Sequence, residues 1–283
     1  MGLDAVLLDR LNRPTLKRIQ ESQSADPSAA GGAPAPTGTP GATGAAPSTL
    51  CLIHGAGGNA MSWIRQLEGL SDCARVVAID LPGHGQSGGD GRSVIADYVA
   101  VVKNFMETAG LGRAVLGGHS MGGAIAQAYA LAHPHLLDGL ILVGTGARLR
   151  VLPEVLQRLQ ADYIGGCAFV TDQSLSPAAS EGLKTGVMTG MLMTRPEVTI
   201  GDLRACDSFD MMDRIGAVKV PALVICGRDD RLTPPKYSEF LAQRIPFARL
   251  TLVEQAGHYV HLERPDAVNA AIRQFLFTLS GPR

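Results

Sequence analysis

The residues best equipped for chemistry in this chain sit in one octapeptide, Leu116-Gly117-Gly118-His119-Ser120-Met121-Gly122-Gly123. Arg113 to Gly118 reads as a buried strand ending in glycines. Ala124 to Leu131, rich in alanine and apolar on most faces, reads as a helix. Ser120 lies at their joint, with Gly118 and Gly122 two residues away on either side. A serine on a sharp strand-to-helix turn is a nucleophile elbow: the turn lifts the hydroxyl clear, and side chains at the two glycine positions would collide with neighbouring backbone. The following helix points its N-terminus at the same spot, which puts the Met121 N–H where an oxyanion would form. A serine hydroxyl is a poor nucleophile near neutral pH, so this reading requires an imidazole to take its proton and a carboxylate to hold that imidazole.

Candidates for both partners follow strand ends further along the chain. His258 comes after Gly257 in the loop that leaves the strand Arg249 to Val253, where an imidazole is reachable. His261 precedes Leu262-Glu263-Arg264-Pro265 and reads as structural, leading into a closing helix from Pro265 to about residue 278. Asp229 and Asp230, in Gly227-Arg228-Asp229-Asp230, compete for the carboxylate. A second oxyanion donor is expected near Ala56, in the loop His54-Gly55-Ala56-Gly57-Gly58-Asn59 after the apolar strand Thr49 to Ile53. That loop has neither a Walker lysine nor a G-x-G-x-x-G spacing, so phosphate binding is a poor reading of its glycines. His54 reads as a brace for the loop. Asp80 and His84 lie in Asp80-Leu81-Pro82-Gly83-His84-Gly85-Gln86-Ser87, a run of turn residues that shapes a loop beside the site.

The elements that must position these groups alternate between strand and helix. After the strand Thr49 to Ile53 come a helix over Ala60 to Leu70 carrying the sole tryptophan, Trp63, a strand Arg75 to Ile79 and a helix Ser93 to Ala109. The elbow follows, then a strand Leu140 to Gly144. From 147 to 217 the alternation stops, and Pro153 to Tyr163, Pro177 to Met193, Pro196 to Asp207 and Ser208 to Ile215 read as successive helices. Alternation resumes with the strand at Pro221 to Cys226, a helix at Lys236 to Arg244 and the strand Arg249 to Val253. This predicts an α/β core over 49–146 and 218–283, with 147–217 as a helical cap. Met188, Met191, Met193, Met211 and Met212 cluster in the cap, where flexible apolar side chains suit an adaptable pocket. Gly55, Trp63, Met188 and Met191 are the candidate substrate-contacting residues. Ahead of the core, residues 1–22 fit either a β-hairpin or a short helix. Ser24 to Ser48, dominated by Ala, Gly, Pro, Ser and Thr, reads as a flexible linker.

Composition narrows the class. A chain of 283 residues with 46% apolar and 18% charged residues has enough material for one large core. A net charge of −1 gives no reason to expect nucleic acid or an anionic membrane as partner. The first residues lack the apolar stretch of a secretory signal, and no run is long enough to span a bilayer. The cysteines at 51, 73, 167, 206 and 226 are odd in number and lack metal-ligand spacing, which predicts free, mostly buried thiols in a reducing, cytoplasmic setting.

Five motifs in register, His54-Gly-Ala-Gly, Asp80-Leu-Pro-Gly-His-Gly-Gln-Ser, Gly118-His-Ser-Met-Gly-Gly, Gly227-Arg-Asp-Asp and Gly257-His258, resemble the α/β-hydrolase superfamily over about residues 49–279. The resemblance implies a mostly parallel central sheet flanked by helices with a helical cap insertion. It also implies a Ser120, Asp230, His258 triad, with backbone N–H groups of Ala56 and Met121 as the oxyanion hole. Asp229 then becomes a loop-shaping carboxylate. A serine at the elbow differs from the aspartate of haloalkane dehalogenases and epoxide hydrolases. The compact, capped layout resembles small carboxylesterases and enol-lactonases, which implies hydrolysis of a small to medium ester or lactone through an acyl-enzyme, with no cofactor or metal. The sequence leaves the oligomeric state open, although the cap could carry a homodimer surface. One rival is carbon–carbon bond hydrolysis as in meta-cleavage product hydrolases, which are similar at Ser120-Met121-Gly122-Gly123; Arg195 and Arg204 would there hold a substrate carboxylate. Another is a ligand receptor on the same fold, against which the intact trio of Ser120, Asp230 and His258 argues. The long linker before Thr49 departs from the family, whose opening hairpin normally runs directly into that strand.

Overall fold

The computed structural model describes residues 3–8, 14–19 and 48–279. The expected linker lies almost wholly outside the described residues. Eight strands form one sheet: β1 (Leu3–Leu8), β2 (Pro14–Ile19), β3 (Thr49–Ile53), β4 (Arg75–Ile79), β5 (Ala114–His119), β6 (Leu137–Val143), β7 (Ala222–Gly227) and β8 (Ala248–Val253), in the order β2-β1-β4-β3-β5-β6-β7-β8. The six from β4 to β8 run parallel, whereas β1 pairs antiparallel with β4 and with β2. Of the two readings of the N-terminal residues, the hairpin is the one observed.

The strand sequences explain this arrangement. The central strands are apolar at nearly every position, so both faces must be covered, and successive residues divide between two cores. Cys51, Ile53, Val77, Ile79, Leu116, Leu140 and Leu142 face one core, whose other wall is α2 (Ile95–Thr108), α3 (Met121–Ala132) and α8 (Pro235–Arg244). Leu50, Leu52, Val76, Ala78, Val115, Ile141 and Val143 face the other, covered by the short helix Ala60–Trp63, α1 (Ile64–Gly69), α9 (Val260–Glu263) and α10 (Pro265–Leu279). Parallel strands covered by helices on both faces leave their carboxyl ends as the place where loops converge. Ser120, Asp230, His258 and the 54–59 loop all follow such ends.

Four helices intervene between β6 and β7: α4 (Pro153–Ala161), α5 (Tyr163–Ser174), α6 (Glu181–Leu192) and α7 (Pro196–Ser208). Two details depart from expectation. α5 lies in a stretch assigned to no element, and Ser208 to Ile215 does not form a helix. Phe209 to Met211 is instead extended against 147–149: the Met211 N–H donates to the Ala147 carbonyl at 2.7 Å, and Arg148 bridges antiparallel to Asp210. Met211, Met212 and Ile215 have helical spacing, but these strand-like partners outbid local preference, and an N–H of Met212 capped by Asp210 Oδ1 at 3.1 Å turns the chain. Among the described residues no helix is long and apolar enough to cross a membrane. All five cysteines are free; Cys73 alone is not fully buried.

Close approach at the elbow makes a testable demand. A β-carbon on Gly118 would strike the Gly122 carbonyl, and one on Gly122 would strike the carbonyls of Ile53 and His54. Gly118→Ala should therefore destabilise by about 3 kcal/mol or more. Gly186→Ala, mid-helix in α6 with open space around it, should stabilise by about 0.5–1 kcal/mol. Urea unfolding of both variants checks this, and effects of the same sign would contradict the packing described.

Candidate active site

Ser120 occupies the strained joint between β5 and α3. Its φ of 52° is one of only two positive values at non-glycine residues among those described. The strain is held from several sides: the Ser120 N–H donates to the Val143 carbonyl at 2.9 Å, and its carbonyl accepts from the Ala124 N–H and from Thr145 Oγ1 at 2.9 Å. The side chain is partly exposed, while its neighbours His119 and Met121 are buried. Gly122 lies against the end of β3, so the first turn of α3, with Met121 as its first residue, is brought beside the 54–59 loop. A β-carbon on Gly55 would stand 3.3 Å from the Ser120 β-carbon, which sets that loop directly over the elbow.

His258 and Asp230 meet. His258 Nδ1 lies 3.0 Å from Asp230 Oδ2, with both side chains almost fully buried. The carboxylate is fixed by three further donors: the N–H groups of Leu232 and Thr233 reach Oδ1 at 2.9 and 2.8 Å, and Thr233 Oγ1 reaches Oδ2 at 2.8 Å. Asp229 is exposed, and its backbone N–H donates to Ala256 O, which closes the loop. The His258 loop is anchored by its own N–H on the Ser174 carbonyl at 2.6 Å and by Glu263, whose carboxylate accepts from the N–H groups of Gly257 and Ser176, each at 2.9 Å. Gly257 is needed because a β-carbon there would stand 2.7 Å from Ser174 O. His119 links the halves of the site: its Nε2–H donates to the His258 carbonyl at 3.0 Å, and the two rings lie 4.6 Å apart. Burial, then repulsion from His261 and His258, holds the His119 imidazole well below its ordinary pKa, so it is a neutral prop.

The other sequence candidates divide. His54 braces two loops: its Nε2 accepts the Leu81 N–H at 3.1 Å and its Nδ1 lies 2.8 Å from Gly55 O. Burial and repulsion from His84 push its pKa down to about 3. Asp80 shapes its loop by accepting from the N–H groups of Ala60 and Gln86. His261 is fully buried against Trp63, ring centroids 4.3 Å apart, in the core under α1 and α10. That stacking takes Trp63 to zero exposure, and Trp63 does not line the cleft that opens near the site. The cleft, of about 670 Å³, runs between α6 and the loops after β3, β4 and β8. Its walls include Gly58 and Asn59, which follow Ala56 by two and three residues, and Tyr259, which follows His258. Met191 lines it; Gly55, Trp63 and Met188 do not. Met61 and Met193, both more than half exposed, line it as well; Met61 carried no signal because it lies outside the methionine cluster. Neither Ser120 nor His258 is among the residues that line this cleft.

Sequence reasoning missed Asp202. Wholly buried on α7, it accepts from Tyr98 Oη at 2.6 Å, His84 Nε2 at 2.8 Å and the Gly57 N–H at 2.8 Å. The other nitrogen of His84 donates to Pro82 O at 3.0 Å, so both ring nitrogens face oxygen atoms, an arrangement that favours the imidazolium. Burial opposes the His84 charge, but hydrogen bonding and attraction to Asp202 outweigh it and raise its pKa above the ordinary 6.5.

With this geometry in view, the chain belongs to the alpha/beta hydrolase family, whose profile it matches over residues 52–271. It is a hydrolase on that fold. Among its relatives, a protein of Agrobacterium fabrum named for carbamate hydrolysis, RutD, is 32% identical over 257 residues, 83% of this chain and 95% of the relative. A 2-hydroxy-6-oxononadienedioate/2-hydroxy-6-oxononatrienedioate hydrolase of Burkholderia vietnamiensis is 31% identical, over 83% of this chain and 88% of its own. Among solved structures, a thermophilic esterase superposes with a TM-score of 0.75 at 35% identity, over 81% of this chain and 90% of that one.

Two outcomes follow from the site. Asp230→Asn should lower the hydrolytic rate by about 10⁴, because the imidazole loses its orienting acceptor, while Asp229→Asn changes it less than about threefold; comparable losses on steady-state assay would contradict the assignment of the acid. A raised folded pKa makes the His84 contribution complete below its ordinary value near 6.5 and lost as pH rises through the folded value. The excess melting temperature of wild type over His84→Gln should thus be larger near about pH 6 than near about pH 9, and a gap that widens with pH would contradict the charged pair.

Proposed function

We propose that the protein is a serine hydrolase that cleaves a small to medium carboxylic ester, or a lactone, through an acyl-enzyme on Ser120. The observation that carries this reading is the buried His258–Asp230 pair, 3.0 Å apart, joined through His119 to a strained serine elbow. Ser120 Oγ attacks the acyl carbon as its proton passes to His258 Nε2, and Asp230 with Thr233 holds the imidazole by its Nδ1 side. The N–H groups of Ala56 and Met121 receive the oxyanion that forms. His258 then gives its proton to the departing alcohol, and water, deprotonated by the same imidazole, releases the acid. The 147–217 insertion serves as a cap, and its α6 supplies the apolar wall, including Leu183, Val187, Met191 and Met193, along which substrate enters.

The character of the cleft favours an ester over a dicarboxylate. Arg195 and Arg204, the cations that a carbon–carbon hydrolase reading would use, are exposed; Arg195 reaches Asp90 at 2.9 Å, and neither borders the cleft. Among the described residues Asp80 is the sole acid lining it, and no lysine or arginine does. A carboxylate-bearing substrate would meet no counter-charge there.

Turnover of p-nitrophenyl esters from acetate to long acyl chains tests the reading. Wild type should turn over short to medium chains best, and Ser120→Ala should lose about 10⁴-fold or more of the rate with its fold intact. Folded wild type that cleaves no ester would overturn the ester assignment, and undiminished turnover by Ser120→Ala would overturn the nucleophile.

A further inference from the structure

The loop expected to supply one oxyanion donor is held from the outside. Residues Gly55 to Gly58 form a turn closed by the Gly58 N–H on the Gly55 carbonyl at 3.1 Å, with Gly57 at a φ of +64°. Positive φ at the third position alone is the type II form, which turns the Ala56–Gly57 peptide outward and leaves its N–H without a partner inside the loop. The insertion provides that partner. The Gly57 N–H donates to Asp202 Oδ2 at 2.8 Å, and the Gly57 carbonyl accepts from Thr194 Oγ1 at 3.0 Å. Thr199, one helical turn before Asp202 on α7, packs against Gly57, where a β-carbon would lie 3.0 Å from its side chain.

The same carboxylate also binds Tyr98 of α2 and His84 of the loop after β4. One side chain thus joins four segments that are distant in sequence, and all are buried. Charge balance decides what this clamp can do. A lone buried carboxylate so near a developing oxyanion would oppose it by Coulomb repulsion in a low-dielectric setting. His84, with acceptors on both nitrogens, supplies the compensating positive charge at 2.8 Å, so the loop is gripped without a net negative field.

We infer that Asp202, with His84 as its counter-ion and Thr194 as a second anchor, is a positioning residue for the oxyanion hole, acting through Gly57 on the adjoining Ala56 N–H. The inference rests on the serine hydrolase reading above. It makes the insertion a part of transition-state stabilisation as well as a wall of the cleft. The effect belongs in kcat, because the charge that the loop must meet exists only after Ser120 has attacked.

The test compares wild type, Asp202→Asn and Thr194→Val in kcat and KM on one p-nitrophenyl ester, each rate normalised to serine titrated by a fluorophosphonate. The second measurement is the Ki of an alkyl trifluoromethyl ketone. That ketone forms a bond from Ser120 Oγ to its carbonyl carbon; the serine proton goes to His258, and the carbonyl oxygen becomes an oxyanion in the hole. Each variant should lose about tenfold or more in kcat per titrated serine and weaken the ketone by the same factor, with KM within about threefold of wild type. Unchanged kcat per titrated serine and unchanged ketone affinity, or a rise confined to KM, would overturn the inference. If Asp202→Asn does not fold, Thr194→Val decides alone, since it removes one hydroxyl donor at nearly constant shape. A wild-type protein whose Ser120 takes no fluorophosphonate would instead remove the hydrolase reading, and this inference with it.

Discussion

The whole site depends on how closely α3 approaches the end of β3. Gly118 and Gly122 pack on one another, and Gly122 packs on the carbonyls of Ile53 and His54. That approach forces Ser120 into positive φ, starts a helix at Met121 beneath the serine, and sets the 54–59 loop over it. The places of the proposed nucleophile, helix-end donor and loop donor are therefore consequences of one contact between two glycines and one strand end. The strain at Ser120 is sustained by Val143, Thr145 and Ala124 around it, and behind them by two cores that fill both faces of the sheet.

The remaining groups are held by hydrogen bonds rather than by close packing, and each is held from more than one element. Asp230 is bound by its own loop through Leu232 and Thr233, so it meets His258 already oriented. The His258 loop hangs on Ser174 at the end of α5 and on Glu263 of α9. His119 and His54, kept neutral by burial, serve as rigid props between loops where a charged imidazole would be unstable. His84 is the exception whose pKa is raised, because it lies against the Asp202 carboxylate. His258, His84 and the pair of neutral props thus owe their different roles to their surroundings.

Much of this was legible in the sequence, for a physical reason. Strand ends at which a sharp turn must follow leave glycine signatures, so Gly118 and Gly122 around Ser120, Gly227 before Asp230 and Gly257 before His258 could be read locally, as could the buried parallel strands from their unbroken apolar runs. What could not be read depends on packing between remote segments. Asp202 is 145 residues from Gly57 and looks like an ordinary polar position on a helix. Ser208 to Ile215 has helical apolar spacing but is drawn into an extended pairing with 147–149. Trp63 could equally have faced substrate or core, and the docking of α9 against its helix determines that it stacks on His261. The N-terminal pair of strands was ambiguous because a hairpin is identified by its partner, here β4, far along the chain.

The most direct measurement is peptide mapping by mass spectrometry of protein quenched during turnover of a p-nitrophenyl ester. The account predicts an acyl group, matched in mass to the ester used, on the peptide bearing Ser120 and absent from all others. An acyl group on another residue, or steady turnover with none on Ser120 under conditions where deacylation limits the rate, would contradict it.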